Sequence, residues 1–189
     1  MHSDAPALDD AAIAAVARRI DRPVVLVGLM GVGKSTVGKK LAALLKTDFV
    51  DADVEIEHAA AMSVGEIFER FGEAHFRDGE RRVIARLMEE RHGVIATGGG
   101  AFVNAETRAT ILDRGIAVWL DAALETLVER TARKSHRPLL NSGNPAETLE
   151  KLKREREPHY AEAPIRVTSD DGPHLDTALQ IVGAIDKWL

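Results

Sequence analysis

The 189-residue sequence predicts an α/β protein in which a parallel sheet is covered by helices on both faces. Short apolar segments rich in valine and isoleucine alternate with longer segments in which apolar residues recur at helical spacing. Residues with special chemistry lie at the ends of three of the predicted strands, at residues 28–35, at Asp51 and Asp53, and at residues 98–100. Ligands of such folds bind where the carboxyl ends of the strands meet, so these residues predict a single site.

The elements can be placed along the chain from periodicity and turn residues. Strands are predicted at residues 23–27, 48–53, 93–97, 116–120 and 164–168. Helices are predicted at residues 9–20, from about 34, at about 54–61, 63–71, 73–91, 104–113, 122–132 and 146–157, and after 173. Phe71 and Leu175 occupy positions in these patterns that predict burial. Residues 133–145 predict a loop, and the absence of repeats or linkers predicts one domain over residues 1–189.

The first candidate site is residues 28–35, Gly-Leu-Met-Gly-Val-Gly-Lys-Ser, which match the phosphate-binding pattern G-x-x-x-x-G-K-[ST]. A predicted strand precedes them and a predicted helix follows, as this pattern requires. Backbone N–H groups and the helix N-terminus would bind phosphate, Lys34 would reach the β- and γ-phosphates, and Ser35 would ligate Mg²⁺. A dinucleotide fingerprint fits less well, because Thr36 stands where its third glycine belongs. The stretch predicts a nucleoside triphosphate site; the alternative is a glycine-rich turn between core elements.

Two further groups follow predicted strands. Asp51 and Asp53 are two residues apart at a strand end, so both side chains would point to the same side. One would hold Mg²⁺ through water and the other would accept a proton from the substrate, the alternative being a pair of solvated acids. Glycines 98–100 would allow a ligand to approach the main chain closely, or would form a plain turn.

Two arginines are candidates for a phosphoryl-transfer site. Arg77 precedes Glu80 by three residues on a predicted helix, a spacing that allows an ion pair to fix the direction of the guanidinium. Arg137, in the loop at 133–145, could stabilise transferring charge as an arginine supplied by the same chain. Taken alone, the first pattern is also that of an exposed surface pair, and the second fits any arginine in a loop.

The composition argues against several functions. The net charge of −5 argues against a nucleic-acid-binding protein that works through general basicity. With no cysteine there is no disulfide, thiolate metal site or cysteine nucleophile, and the seven histidines show no metal-binding spacing and are expected on the surface. No apolar run approaches a membrane span, and the N-terminus lacks a signal-peptide pattern. We expect a cytoplasmic protein that binds neither membranes nor nucleic acid.

From about residue 22 to its C-terminus the chain resembles the shikimate kinases, small-metabolite kinases of aromatic amino-acid and chorismate biosynthesis. The matching motifs are residues 28–36, Asp51-Ala52-Asp53, Gly72-Glu73 with Phe76-Arg77 and Glu80, Thr97-Gly98-Gly99-Gly100-Ala101, Arg137-Pro138-Leu139-Leu140, and Arg156 with Pro158 and Tyr160. The resemblance implies a three-layer P-loop kinase fold with a five-stranded parallel sheet in the order 2-3-1-4-5. It also implies a substrate-binding region at about 51–80 and a lid at 133–145, with only an extra helix in residues 1–21 outside it.

The resemblance implies transfer of the γ-phosphoryl group of ATP to the 3-hydroxyl of shikimate, with Mg²⁺ as cofactor. The residues implied for ATP are Gly31, Val32, Gly33, Lys34, Ser35, Thr36, Arg130, Arg137 and Pro173. The residues implied for shikimate are Asp53, Phe68, Phe76, Arg77, Gly99, Gly100 and Arg156. The implied catalytic residues are Lys34, Asp53 and Arg137, and the implied metal-binding residues are Ser35 and Asp51. We expect a monomer whose partners are these two small molecules.

Three alternatives stay open at this point. Another small-metabolite P-loop kinase, such as one for gluconate, would bind a similar carboxylate-bearing polyol. A nucleotide kinase fits less well, because the predicted lid is short. A non-catalytic nucleotide-binding module would keep the phosphate-binding stretch without turnover, but the joint presence of Lys34, Ser35, Asp51, Asp53 and Arg137 argues against it.

Overall fold

The computed structural model describes residues 8–133 and 143–189. Its parallel sheet is formed by β1 (Val24–Val27), β2 (Phe49–Asp51), β3 (Val94–Ala96), β4 (Ile116–Asp121) and β5 (Ile165–Thr168). The strands lie in the order β2-β3-β1-β4-β5, which confirms the implied fold. Every residue of β1, β3 and β4 is buried, as expected for strands that are covered on both faces.

Helices surround this sheet. In the described ranges they are α1 (Asp10–Arg19), α2 (Lys34–Leu45), α3 (Ala52–Ala60), α4 (Val64–Glu89), α5 (Ala105–Arg114), α6 (Leu124–Ala132), α7 (Pro145–Tyr160) and α8 (His174–Trp188). A short 3₁₀ turn, Ala101–Val103, follows the glycines after β3. Helices α1, α2 and α8 pack against one another, α4 packs against α3 and α5, and α6 packs against α7. The Asp9 and Asn104 side chains cap α1 and α5, since each accepts a backbone N–H group at the start of its helix.

The second strand ends earlier than the sequence predicts. It stops at Asp51, and α3 begins at Ala52 instead of at about residue 54. The Asp51 carboxylate accepts hydrogen bonds from the backbone N–H groups of Asp53 (2.9 Å) and Val54 (3.4 Å), and so caps the helix. Asp53 therefore lies in the first turn of α3. The prediction that both carboxylates share one side of a strand is wrong.

Burial differs from the prediction at two helix positions. The helices expected at 63–71 and 73–91 are present as the two segments of α4, which meet at a kink at Gly72 (φ +81°), where a left-handed backbone favours glycine. Phe71 and Leu175 are 52% and 44% exposed, so their predicted burial is wrong. Phe71 lies immediately before Gly72, where the helical spacing of the buried apolar residues is interrupted. Leu175 lies in the first turn of α8, ahead of its buried residues.

The predicted loop at 133–145 falls mostly outside the described residues. Helix α6 ends at Ala132, and α7 begins at Pro145 with Asn144 as its N-cap. Most of the predicted lid, including Arg137, therefore lies outside the described residues, as do the first seven residues of the N-terminal segment. None of the helices within residues 8–133 and 143–189 has the length and apolar character needed to cross a membrane.

Candidate active site

The glycine-rich stretch connects β1 to α2, and its residues 28–33 form what we call the phosphate turn. Gly31 (φ +87°) and Gly33 (φ +95°) adopt left-handed conformations that other residues disfavour, and Gly33 is the N-cap of α2. Lys34 is 8% exposed, and its Nζ donates hydrogen bonds to the carbonyls of Gly28 (2.5 Å) and Leu29 (2.9 Å). The turn thus combines a helix N-terminus with an ammonium group, an arrangement that binds phosphate.

Ser35 and Asp51 form a small group of oxygen atoms beside the phosphate turn. Ser35 Oγ donates to Asp51 Oδ2 at 2.5 Å, while Asp51 Oδ1 caps α3. In the part of the chain that the structure describes, no group of three or more histidine, aspartate or glutamate side chains could hold a metal ion. Mg²⁺ is commonly held by one or two carboxylates together with substrate phosphates and waters. Ser35 and Asp51 therefore fit Mg²⁺ that is bound jointly with a nucleotide.

Asp53 lies against the glycines that follow β3. A Cβ atom added at Gly98 would lie 2.8 Å from Asp53 Oδ1 and 3.0 Å from Glu80 Oε2, so two carboxylates approach this glycine closely. Burial raises the pKa of Asp53 and the Asp51 charge raises it further, against the opposing charges of Lys34 and Arg77. A raised pKa makes this carboxylate a better proton acceptor than an ordinary aspartate.

Arg77 is held in place by Glu80. Arg77 Nη1 donates to Glu80 Oε1 at 2.8 Å, and Glu80 is only 1% exposed. A Cβ atom added at Gly100 would lie 2.3 Å from Arg77 Nη2, so the guanidinium occupies the space directly against this glycine. The guanidinium also lies 5.2 Å from the centre of the Phe76 ring, which is 4.7 Å from that of Phe68. The ion pair that the spacing allows is therefore present, and it is largely buried.

Arg156 approaches the same glycines from α7. A Cβ atom added at Gly99 would lie 3.6 Å from Arg156 Nη1 and 3.1 Å from the backbone nitrogen of Met30. Arg156 is 8% exposed, and among the described residues its buried Nη1 has no hydrogen-bond partner. Burying a charged donor without a partner is costly. An anionic group bound at this position would supply the missing hydrogen-bond partner of Arg156 Nη1.

Arg130 joins the phosphate turn to the segment between β5 and α8. Its Nη1 donates to the carbonyl of Val32 (3.1 Å) and lies 3.2 Å from the Ser169 hydroxyl, while its Nη2 donates to the carbonyl of Asp170 (2.6 Å). Pro173 ends this segment as the residue before α8. The hydrogen bonds of Arg130 therefore fix the Pro173 segment next to the phosphate turn.

These groups meet in a cavity of about 350 Å³. The predicted site residues in its lining are Gly31, Gly33, Lys34, Ser35, Thr36, Asp51, Asp53, Gly99 and Arg130. The lining also contains Met30, Thr97, Gly98, Arg133 and His174. The cavity thus brings together a phosphate-binding turn, a pair of oxygen ligands suited to Mg²⁺ and a carboxylate that can accept a proton.

Comparison with known proteins identifies the family. The family model described as shikimate kinase matches residues 30–186. A shikimate kinase from Novosphingobium aromaticivorans is 60% identical over 100% of both chains. The chain belongs to the shikimate kinase family. A shikimate kinase from Rhodopseudomonas palustris is 51% identical over 89% of this chain and 83% of its own.

A solved structure in the shikimate kinase family has the same fold. The shikimate kinase from Acinetobacter baumannii, in complex with shikimate, matches this chain with a TM-score of 0.86 and 37% identity. The match covers 95% of this chain and 98% of that chain. The architecture built from the strands and helices above is therefore that of a shikimate kinase.

Several residues predicted from the shikimate kinase resemblance are not part of the lining of this cavity. They are Val32, Phe68, Phe76, Arg77, Gly100, Arg156 and Pro173. Val32 is 1% exposed and packs in the core, so that its main chain is the part available to a nucleotide. Arg77 and Arg156 are placed by their contacts with the glycines after β3. Arg137 lies outside the described residues.

Two contacts in this shikimate kinase family member have no clear signal in the sequence. His174 is partly buried, with its Cε1 3.3 Å from a Cβ atom placed at Gly33, so the expectation that the histidines lie on the surface is wrong here. Its neighbours are distant in sequence, and no motif spacing indicates the contact. Tyr160 belongs to a motif that matches the family, but nothing in the sequence indicates that its hydroxyl donates a hydrogen bond to the carbonyl of Gly99.

Proposed function

We propose that this chain transfers the γ-phosphoryl group of ATP to the 3-hydroxyl of shikimate, giving shikimate 3-phosphate and ADP. The observation that carries the proposal is the position of two arginines, Arg77 and Arg156, against the glycines that also face Asp53. Guanidinium groups bind a planar carboxylate in bidentate fashion, and a carboxylate accepts hydrogen bonds from hydroxyls. These groups match a carboxylate-bearing polyol. Family membership, and the shikimate complex of the Acinetobacter baumannii relative, support shikimate within that class.

ATP binds with its phosphates at the phosphate turn in this proposal. The main chain of residues 31–33 and the first residues of α2, Lys34 to Thr36, contact the phosphates. Arg130 stacks on the adenine, and Pro173 borders it. The hydrogen bonds between Arg130 and the carbonyls of Val32 and Asp170 support this arrangement, because they hold the two sides of the nucleotide site together.

Ser35 and Asp51 hold Mg²⁺ together with the ATP phosphates. The ion, when bound, neutralises phosphate charge and orients the γ-phosphoryl group. The 2.5 Å contact between Ser35 Oγ and Asp51 Oδ2 supports this role, because it places the two oxygen ligands side by side. Arg137 completes the contacts to the transferring group from the lid.

Shikimate binds between α3, α4, α7 and the glycines after β3. Arg77 and Arg156 hold its carboxylate, and the main chain of Gly99 and Gly100 contacts its hydroxyls. Phe76, with Phe68 packed against it, lies beneath the apolar part of the ring. The buried ion pair between Arg77 and Glu80 supports this arrangement, because it fixes the guanidinium before the substrate arrives.

Asp53 accepts the proton of the 3-hydroxyl as that oxygen attacks the γ-phosphorus. The bond between the γ-phosphorus and the β–γ bridging oxygen breaks, and ADP leaves with the bonding electrons. Lys34 and Arg137 stabilise the negative charge of the transferring group. The raised pKa of Asp53, caused first by burial and then by Asp51, supports its role as the acceptor of this proton.

Gly100→Ala is expected to raise the KM for shikimate by about ten- to a hundredfold. The new methyl group would lie 2.3 Å from Arg77 Nη2 and 2.7 Å from its Cζ, so the guanidinium must move. Gly79→Ala is the matched control, because nothing lies within 4 Å of its added Cβ atom. Steady-state kinetics with each substrate varied check this. An unchanged KM for shikimate in Gly100→Ala would remove Arg77 from the acceptor site.

A coupled ADP-release assay with shikimate, gluconate and nucleoside monophosphates tests the proposal against its alternatives. With ATP and Mg²⁺ we expect ADP release that depends on shikimate and on none of the others. Turnover with gluconate alone would indicate a different small-metabolite kinase. ATP binding without turnover on any acceptor would indicate a non-catalytic nucleotide-binding module.

We also infer that residues 1–189 act as one kinase domain, with a substrate-binding region at about 51–80 and a lid at 133–145. The continuous five-stranded sheet supports one domain.

We propose that the enzyme works as a monomer in the cytoplasm. The chain contains no cysteine, so its stability does not depend on disulfides, which are rare in that compartment. Light scattering should give the mass of one 20.5 kDa chain; twice that mass would overturn the monomer proposal.

A further inference from the structure

Tyr160 is the last residue of α7 and is 1% exposed. Its hydroxyl donates a hydrogen bond to the carbonyl of Gly99, and its ring lies 5.9 Å from that of Trp119 on β4. Burial raises the pKa of the Tyr160 phenol, against an opposing effect of Arg156, so the hydroxyl keeps its proton and stays a donor at neutral pH. The phosphoryl-transfer step described above does not use this hydroxyl.

The hydrogen bond fixes a peptide whose direction matters for the acceptor. The carbonyl of Gly99 and the N–H of Gly100 belong to one peptide group, which is planar and trans. Holding the carbonyl toward Tyr160 therefore directs the Gly100 N–H the opposite way. Strand pairing does not set this direction, because β3 ends at Ala96.

Tyr160 also connects this peptide to Arg156. The two residues are four apart on α7, so their side chains lie on the same face of the helix. On the other side, Gly99 packs against the phosphate turn, since its added Cβ atom would lie 3.1 Å from the backbone nitrogen of Met30. The hydroxyl thus joins the helix that carries Arg156 to glycines that already contact the nucleotide side.

A second set of contacts, made by Arg108, connects the C-terminal end of α7 to the segment that follows the glycines. Arg108 Nε pairs with Glu162 at 2.7 Å, just beyond α7, and Arg108 Nη1 donates to the carbonyls of Phe102 (3.1 Å) and Val103 (3.0 Å). These carbonyls belong to the 3₁₀ turn that follows Gly100. Helix α7 and the glycine segment are therefore held together at two points, the Gly99 carbonyl and the 3₁₀ turn that follows Gly100.

We propose that Tyr160 is a positioning residue for the acceptor substrate, whose hydroxyl orients the Gly99–Gly100 peptide and fixes its distance from Arg156. A rigid acceptor with a carboxylate at one end and hydroxyls at the other needs these two groups at a constant separation. The inference rests on the proposed function and names the residue that aligns its acceptor side. Nucleotide binding does not depend on this hydroxyl, because the phosphate turn keeps its own contacts.

Tyr160→Phe tests the inference, because it removes one hydroxyl and keeps the ring packed on Trp119. We expect the KM for shikimate to rise about three- to tenfold, the usual effect of one hydrogen bond, while the KM for ATP changes by less than about twofold. Ile185→Val is the control: it removes a buried methylene in the last turns of α8 and should leave both KM values unchanged. Thermal unfolding of both variants shows whether stability alone moves the kinetics.

Amide hydrogen exchange of the unliganded protein gives a second readout that needs no turnover. Peptides covering residues 98–103 should exchange faster in Tyr160→Phe than in the wild type, and those covering residues 28–36 should not. Unchanged exchange at 98–103, or equal changes in both KM values, would overturn the inference. If the wild type turns over no shikimate, the proposed function fails and the inference fails with it; wild-type turnover with unchanged KM in Tyr160→Phe overturns the inference alone.

Discussion

Asp53→Asn is expected to lower kcat for shikimate phosphorylation by about 10²- to 10⁴-fold, the usual contribution of a general base. Asparagine has nearly the same size and can still bond to a hydroxyl, but it cannot take its proton. The KM for ATP should change little, because the phosphate turn is left intact. Steady-state kinetics with saturating ATP and Mg²⁺ measure the effect. Asp78→Asn is the control, since Asp78 is an exposed aspartate on α4 paired with Arg81 and Arg82.

The pH dependence of kcat/KM adds a separate check on Asp53. Burial and the Asp51 charge raise the pKa of Asp53. The acid limb of the kcat/KM profile should therefore lie at a higher pH than the range in which an ordinary aspartate titrates. Since the base must be deprotonated, the wild-type rate should fall as the pH decreases through this pKa. The limb should be absent from Asp53→Asn. A variant with wild-type kcat, or with the same acid limb, would show that Asp53 does not take the proton.

Arg77→Ala is expected to lower kcat/KM for shikimate by about 10²- to 10³-fold, while ATP binding is retained. Charge-assisted hydrogen bonds contribute about 1.5–3 kcal/mol each, and two bonds to a carboxylate account for a loss of this size. Shikimate and ATP titrations followed by calorimetry separate the two sites. Arg81→Ala, one turn further along α4 and more exposed, is the matched control. Equal loss of nucleotide binding in Arg77→Ala would contradict an acceptor-specific role.

Removing Arg77 should also destabilise the protein, because Glu80 is 1% exposed and would lose the partner of its Oε1. Breaking a buried pair typically costs about 3 kcal/mol or more. Burial already raises the pKa of Glu80 and Arg77 lowers it, so the variant's pKa should rise further. The folded variant then binds the proton more tightly than the unfolded chain, and its stability should fall as pH increases from the ordinary glutamate range through the raised pKa.

The double variant Arg77→Ala/Glu80→Gln separates stability from recognition. Glutamine has no charge to bury, so the double variant should regain most of the stability and lose the added pH dependence. It should not regain shikimate binding. If shikimate binding returned with stability, Arg77 would act through the fold and would not contact the substrate.

The sequence predicts the parts of this site that depend on local patterns. Strand β1, the phosphate turn and helix α2 follow one another directly, so Gly33, Lys34 and Ser35 are placed correctly from a short motif. The sheet order follows only from the resemblance, because periodicity does not say which strands are neighbours. The Arg77–Glu80 pair is predictable from helical spacing, but its burial is not, since the packing of α4 against its neighbours and against the glycines after β3 determines it.

The remaining features depend on contacts between distant residues or on competition between local signals. Asp53 lies on a helix because Asp51 caps α3, a preference that ended the predicted strand early. His174 contacts Gly33, which is distant from it in sequence, and the residues around His174 give no indication of that contact. Tyr160 and Gly99 are 61 residues apart, so their hydrogen bond is visible only in the folded chain.

The most direct test of the central claim follows the phosphoryl group itself. With ATP carrying ¹⁸O on its γ-phosphate, the wild-type protein should transfer the label to shikimate, and ³¹P–¹H NMR should place the phosphate ester on the 3-hydroxyl. Label found only in inorganic phosphate, or an ester on another hydroxyl, would contradict the proposed reaction.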